Sequence, residues 1–219
     1  MSERPPPANF DALARVYAPL EHLSFGRALA RRRACFLNDP RLGEPRSALV
    51  LGDGDGRFTA QALAQHPALA LTALDSSAVM LGVLEERVRR ASPTASLALH
   101  HADARSWQPP QAGYQLVAAH FFFDCFTTEE LSAMVARFAP SLAPHASWLV
   151  SDFAVPTHRV WGRLARVIVR SLYLAQAALT GSKIRRLPDH APALRAAGFA
   201  LIDSKTALGG LLRSELWQR

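Results

Sequence analysis

Between residues 48 and 153, short apolar runs alternate with amphipathic stretches of helical spacing. Runs at 48–51, 69–74, 97–101, 114–120 and 147–153 have the length and continuity of strands buried on both faces. Between them, 57–66 and 77–90 carry helical patterns, the second with Val79, Met80, Val83, Leu84 and Val88 apolar. A third helix opens at Thr127, where Thr127-x-x-Glu130 forms a capping box, and runs to about Phe138. Strands alternating with helices at this spacing predict a parallel sheet covered on both faces. In such sheets ligands sit outside the carboxyl ends of the strands. Gly52 to Gly56, Asp75, Asp103 and the stretch from His120 to Asp124, though distant in sequence, are therefore expected at one edge.

The flanks read differently. Residues 10–38 have a helical pattern through Leu13, Val16, Tyr17, Leu20, Leu29 and Phe36, interrupted at Pro19, with Arg31, Arg32 and Arg33 clustered. Gly43 and Pro45 end it. After Pro156 comes a long helical pattern over 157–180, then a helix over 188–197 closed by Gly198. Two last strands follow at 199–203 and 211–217; a loop with Gly209 and Gly210 joins them as an antiparallel pair. The expectation is one α/β domain, a Rossmann-like three-layer α/β/α sandwich. Its sheet is seven-stranded and mostly parallel, with an antiparallel C-terminal strand. The segments divide as an N-terminal helical cap (1–45), a cofactor-binding core (46–156), a helical insertion (157–187) and a C-terminal helix and strand pair (188–219).

The loop LVLGDGDGRF, residues 49–58, follows the first strand and precedes a helix. Glycines there let backbone approach a ligand closely and turn free N–H groups toward it. The dinucleotide fingerprint is G-x-G-x-x-G, with its third glycine admitting close packing. Here the spacing is G-x-G-x-G, through Gly52, Gly54 and Gly56, and Arg57 occupies the position of that third glycine. Asp53 and Asp55 would also repel a pyrophosphate. Both features disfavour a nicotinamide-dependent oxidoreductase and suit a cofactor with positive charge.

At these residues the chain resembles the class I S-adenosylmethionine-dependent methyltransferases, in their small-molecule branch. Three motifs carry the resemblance in order: the G-x-G-x-G loop, Asp75 at the end of the second strand in LTALDSS, and Asp103 after the third in HHADARSW. The resemblance implies S-adenosylmethionine as cofactor, held by Gly52, Asp53, Gly54, Asp55, Gly56, Asp75, Ser76, Asp103, Ala104, His120 and Phe121. Asp75 would meet the ribose hydroxyls and Asp103 would lie near the adenine. Tyr17, on the N-terminal helix, is expected either to fold over the cofactor or to continue that helix's apolar face. The chain departs from the family at Val50, where an acid usually serves the methionine amino group. Asp53 or Asp55 is the candidate replacement.

The fourth strand ends in HFFFDCF, residues 120–126, the end that faces the methyl group in the family. His120 is the candidate general base, with an ordinary pKa of ~6.5, and Asp124 the candidate for orienting it or the substrate. Each also has a plain structural reading, Asp124 as a partner of nearby backbone N–H groups. The Asn-Pro-Pro-Tyr signature of DNA amino-methyltransferases is absent, and no acidic triad suggests a magnesium site, so no metal is expected. The implied activity is methyl transfer to a small hydrophobic acceptor; the alternative is a non-catalytic protein that binds S-adenosylmethionine or S-adenosylhomocysteine.

Charge adds one more feature. The chain carries 25 basic residues against 18 acidic ones, a formal net charge of +7. Arg159, Arg163, Arg166 and Arg170 recur on one helical stripe, opposite Trp161, Leu164, Ile168 and Leu172. That pattern fits either a lid with solvated arginines or peripheral contact with an anionic membrane. Without interleaved aromatic and basic residues, nucleic acid is not an expected partner. The N-terminus lacks an apolar h-region, and two widely separated cysteines, Cys35 and Cys125, read as free thiols; a cytoplasmic protein is expected.

Overall fold

A computed structural model describes residues 26–110, 112–156 and 187–219. Tyr17 and the Arg159 to Arg170 stripe lie outside the described residues, as does most of the long insertion. Helix α1 (Gly26–Arg33) precedes β1 (Ser47–Leu51), α2 (Arg57–Gln65), β2 (Ala70–Asp75), α3 (Ala78–Ala91) and β3 (Ser96–His101). Then follow β4 (Tyr114–His120), α4 (Thr128–Phe138), β5 (Leu142–Phe153), α5 (Ala191–Ala196), β6 (Ala200–Ala207) and β7 (Leu212–Gln218).

The sheet has seven strands in the order β3-β2-β1-β4-β5-β7-β6. The first five strands of that order are mutually parallel, whereas β7 runs antiparallel to both β5 and β6. This is the mostly parallel Rossmann-like sheet with an antiparallel C-terminal strand that the alternation implies. Strand β1 is central: Ala48 stands level with Leu71 on β2 and with Leu116 on β4. Chain order reverses there, so the crevice above β1 and β4 is where a ligand site forms.

Side chains from the two faces of the sheet build two cores. One gathers Phe123, Trp148, Trp217, Leu131, Met134 and Phe138 beneath α4 and α5. The other gathers Val50, Phe58, Leu63, Leu84 and Val88 beneath α2 and α3. The Thr127 capping box forms as the sequence predicts: Thr127 Oγ1 accepts from Glu130 N at 3.2 Å, and Glu130 Oε2 accepts from Thr127 N at 2.9 Å.

Several boundaries differ from expectation. Helix α1 stops at Arg33, and Phe36 and Leu37 reach the core from a turn. Helix α5 is six residues long, because 187–190, with Pro188, are not helical and the helix starts only after His190. Strand β5 starts at Leu142, five residues before the apolar run; its first residues are half-exposed and its pairing with β4 shifts register there. Strand β6 extends to Ala207 as an exposed edge, where ladder bonding to β7 rather than burial holds it. On α3, Val79 and Val83 are exposed, and Leu81, Leu84 and Val88 make the buried stripe.

A buried charge cluster ties α5 to β7. Glu215 Oε2 accepts from His190 Nε2 at 2.7 Å and from Trp217 Nε1 at 2.9 Å, while Oε1 pairs with Arg213 Nε at 2.9 Å. Burial alone would raise the Glu215 pKa; the hydrogen bond and charge of His190, with Arg213 and Trp217, bring it below the ordinary value. Its stabilisation is thus present above its ordinary pKa of 4.5 and is lost as pH falls. Replacing Glu215 by Ala strands two donors in the core, His190 Nε2 and Trp217 Nε1, and should cost about 3–5 kcal/mol in equilibrium urea unfolding at pH 7; a cost below about 1 kcal/mol would show that the cluster contributes little.

Candidate functional site

The carboxyl ends of β1, β2, β3 and β4 border one apolar cleft. Its walls include Gly52, Asp53, Gly54, Asp55, Asp75, Ser76, Asp103, Ala104, His120, Phe121 and Asp124, which the sequence places at this edge. Gly56 is the exception. It has φ +77°, and a Cβ there would stand 2.6 Å from Leu84 Cγ and 2.8 Å from Leu84 Cα. Its role is close packing of α2 on α3, so the third glycine shapes the loop without lining the cleft.

The other two glycines act differently. Gly52, with φ +60°, leaves room for the ring of Phe122, whose Cδ2 would lie 2.3 Å from a Cβ. Gly54, with φ +58°, has no protein atom within 4 Å of where a side chain would begin. Its backbone therefore borders open space in the cleft wall.

The two loop aspartates also part company. Asp55 Oδ2 accepts from Arg57 Nε at 2.8 Å and from Arg87 Nη2 at 2.9 Å. Asp53 turns inward: Oδ2 accepts from Thr59 N at 2.8 Å, at the start of α2, and Oδ1 is buried with no hydrogen-bond partner among the described residues. Burial raises the Asp53 pKa to about 6, against the lowering effects of Thr59 and of the Arg33 charge.

At the end of β2, Asp75 Oδ1 accepts from Ser77 N at 2.9 Å, and the Gly54 and Ser76 amides favour its charged form. Burial nevertheless raises its pKa. Asp75 thus ties β2 to the glycine loop; Ser77, whose Oγ accepts from Met80 N, caps α3. After β3, Asp103 Oδ1 accepts from Arg105 N at 2.8 Å. Arg105 is a strap: Nε donates to Glu130 at 2.8 Å, Nη2 donates to the Cys125 carbonyl at 3.1 Å, and the guanidinium lies 4.7 Å from the centre of the Phe126 ring.

His120 is the last residue of β4. Its ring meets Phe58 edge-on at 4.5 Å, and neither ring nitrogen has a hydrogen-bond partner among the described residues. Burial first, and then the Arg33 charge, lower its pKa to about 3. The ring is thus less basic than the ordinary imidazole of pKa ~6.5. No hydrogen bond joins His120 to Asp124 among the described residues, which leaves Asp124 the other reading, toward a substrate. Phe121 then takes a left-handed backbone, φ 54°, with its N–H donating to Ser151 O at 2.6 Å. That turn leads into a single helical turn burying Phe123 and Asp124. Asp124 accepts from Cys125 Sγ at 3.5 Å, and burial raises its pKa to about 6. Behind it, burial and then the Asp124 charge keep the Asp152 pKa well above the ordinary range. The carboxylate of Asp152 accepts from Phe153 N at 2.8 Å, and the Asp124 amide favours its charged form.

Sequence reasoning missed Arg33, Met80 and Arg105 in the wall, while Phe122 and Phe126 belong to the 120–126 stretch expected there. Arg33 is placed by its neighbour: the Ser151 and Ser214 hydroxyls both donate to the Arg32 carbonyl at 3.0 Å, clasping the end of α1 to β5 and β7. The Arg33 guanidinium then sits 5.3 Å from the centre of the Phe121 ring. The run of three arginines was the available signal. Among the described residues, no group of His, Cys, Asp or Glu is arranged to hold a metal ion, and no helix is long and apolar enough to cross a membrane.

Residues 48–145 match the family model described as a methyltransferase domain. No curated protein matches the chain in sequence. Solved structures share the fold at low identity. An O-methyltransferase family protein from Burkholderia thailandensis is 18% identical with a TM-score of 0.68, over 95% of this chain and 57% of that one. A putative O-methyltransferase from Nostoc punctiforme is 16% identical with a TM-score of 0.70, over 94% and 59%. The N-methyltransferase NodS from Bradyrhizobium japonicum is 13% identical with a TM-score of 0.60, over 91% and 98%. The chain therefore spans less than two thirds of the first two proteins and nearly all of the third. The match over 48–145 covers just under half of the chain, and over that stretch the chain resembles a methyltransferase domain, whose fold the solved structures share.

Proposed function

We propose that the protein transfers a methyl group from S-adenosylmethionine to a small hydrophobic acceptor. The observation that carries this reading is the unpartnered Asp53 Oδ1, buried in the wall of the glycine loop. A buried acceptor of this kind suits a cofactor that brings a cation and opposes one that brings phosphates. The open space at Gly54 suits a ligand lying against the loop backbone. The described residues thus fit the cofactor of the family.

Asp75 and Ser76 would hold the ribose side, and Asp103 and Ala104 the adenine side, with Gly52, Gly54 and Asp55 bordering the loop. When bound, S-adenosylmethionine supplies a methyl group made electrophilic by its sulfonium. Alignment of donor and acceptor can account for ~7–11 kcal/mol of barrier lowering in the best cases, so the main duty of the walls is orientation. Phe121, Phe122 and Phe126 offer aromatic faces to an apolar acceptor and exclude water from it. The O-methyltransferase names among the structural neighbours support a small-molecule acceptor, and one of them, from Planctomyces limnophilus, is a complex with apigenin.

Asp124 is the better candidate to receive a proton from an acceptor hydroxyl. A carboxyl with a pKa of about 6 is largely ionised at pH 7 yet more basic than an ordinary aspartate. His120, neutral and weakly basic, offers an uncharged donor or acceptor to a bound group. Peripheral membrane contact through Arg159 to Arg170 stays part of the proposal for an apolar acceptor, as does a cytoplasmic location.

Thermal shift tests the cofactor. S-adenosylmethionine and S-adenosylhomocysteine should raise the melting temperature in a concentration-dependent way, and NAD should not; a response to NAD alone would overturn the reading. Methyl transfer from labelled cofactor to a cell extract then separates an enzyme from the non-catalytic binding protein, which would bind S-adenosylhomocysteine and label nothing.

Asp124→Asn should oppose function and stability. Because the folded pKa is raised, ionisation of Asp124 destabilises the fold as pH rises from about 4 through about 6. The variant should therefore gain about 1–2 kcal/mol over wild type at pH 7.5 and nothing at pH 4, by urea unfolding, while losing ~10²-fold or more in methyl transfer. A destabilised variant with full activity would contradict both roles.

A further inference from the structure

Three buried polar atoms at the glycine-loop end of the cleft have no partner among the described residues: Asp53 Oδ1, His120 Nδ1 and His120 Nε2. Each belongs to a residue of the cleft wall. A buried polar atom left unpaired is costly, so a cluster of them points to a ligand that completes it. The cluster has both signs. Asp53 supplies a carboxylate acceptor. Arg33 supplies a guanidinium, also in the wall, whose charge acts on both Asp53 and His120. A neutral imidazole adds one donor and one acceptor.

The position that normally carries the family's acid cannot serve. Val50 is fully buried in β1 and packs in the core beneath α2 and α3. Asp55 is engaged by two arginines, through Arg57 Nε and Arg87 Nη2. A third cation arriving at Asp55 would meet two guanidinium groups already in place. Asp53 is not held by an arginine hydrogen bond: Oδ2 accepts from the Thr59 amide, the Thr59 side chain also favours the charged carboxylate, and Oδ1 has no hydrogen-bond partner among the described residues.

We propose that Asp53 receives the α-ammonium of an amino-acid-bearing nucleoside from within the glycine loop, in place of the acid absent at Val50, and that Arg33, with His120, holds the α-carboxylate. The inference rests on the cofactor reading above and assigns its zwitterionic end. Arg33 reaches the site because Ser151 and Ser214 fasten the Arg32 carbonyl to the sheet. The amino-acid end is therefore recognised by one residue from the β1 loop, one from the end of α1 and one from the end of β4. No bond is made or broken in this step.

Calorimetric binding of three ligands tests it: S-adenosylhomocysteine, its des-amino analogue, and 5′-methylthioadenosine, which keeps adenosine and thioether but lacks the amino acid. Wild type should bind S-adenosylhomocysteine at least about tenfold more tightly than either analogue. Asp53→Asn should lose that preference for the amino group and bind 5′-methylthioadenosine within about twofold of wild type. Arg33→Gln should weaken S-adenosylhomocysteine and the des-amino analogue alike, again sparing 5′-methylthioadenosine. Asp55→Asn should shift all three by one factor. Far-UV circular dichroism establishes that each variant is folded; should Asp53→Asn not fold, the wild-type ligand series together with Arg33→Gln decides. The proposal is overturned if Asp53→Asn keeps the amino-group preference, if Arg33→Gln weakens 5′-methylthioadenosine equally, or if wild type does not distinguish the ligands. Wild type binding none of the three would overturn the cofactor reading itself.

Discussion

The parallel contact between β1 and β4 is what the cleft depends on. The two strands lie side by side from Ala48 and Leu116 to Leu51 and Ala119, although more than sixty residues separate them in sequence. Because both run the same way, the loops that leave them, Gly52 onward and Phe121 onward, must rise from the same edge of the sheet. Crowding there explains the local backbone. Gly52 yields to the Phe122 ring, and Phe121 accepts a left-handed φ that costs ~1–3 kcal/mol for a residue with a side chain. The Phe121 N–H bond to Ser151 O on β5 helps hold that turn in place.

Buried charge is handled in opposite ways at two places in this sheet. Around Glu215 every oxygen has a donor, and the cluster fastens α5 to β7. At the cleft, Asp53 keeps one oxygen unmatched, His120 keeps both nitrogens unmatched, and Asp124 lies close enough to Asp152 for its charge to raise the second carboxyl's pKa. The first arrangement belongs to a finished interior. The second leaves polar groups dehydrated without partners, which is tolerable only where a ligand or a transferred proton completes them.

Much of this was legible in the sequence, for identifiable reasons. Strand β4 has its predicted limits because an apolar run there is buried on both faces, and the antiparallel end follows from Gly209 and Gly210 between two apolar runs. The Thr127 box is a local hydrogen-bond pattern and forms as read. What escaped depends on non-local surroundings. The start of β5 is broken by Pro144 and a register shift and the end of β6 is polar, so neither shows a strand's apolar pattern and pairing with a neighbour defines them. The neutral state of His120 comes from Phe58 and Arg33, brought from α2 and α1, and no residue next to it in sequence announces either. The division of labour between Asp53 and Asp55 depends on Arg87, thirty-two residues on from Asp55.

Gly56 separates two properties that a glycine-loop motif merges. It stands in the motif, yet its lack of a side chain serves the contact between α2 and Leu84 on α3. Both helices leave the edge of the cleft, so a wedge between them would shift the loop and the shelf beneath Asp75 together. A lesion at this position would then imitate a cofactor defect in any assay of turnover, while its origin was mechanical. Motif membership in this chain is therefore a guide to where the backbone bends, and contact with a ligand must be judged glycine by glycine.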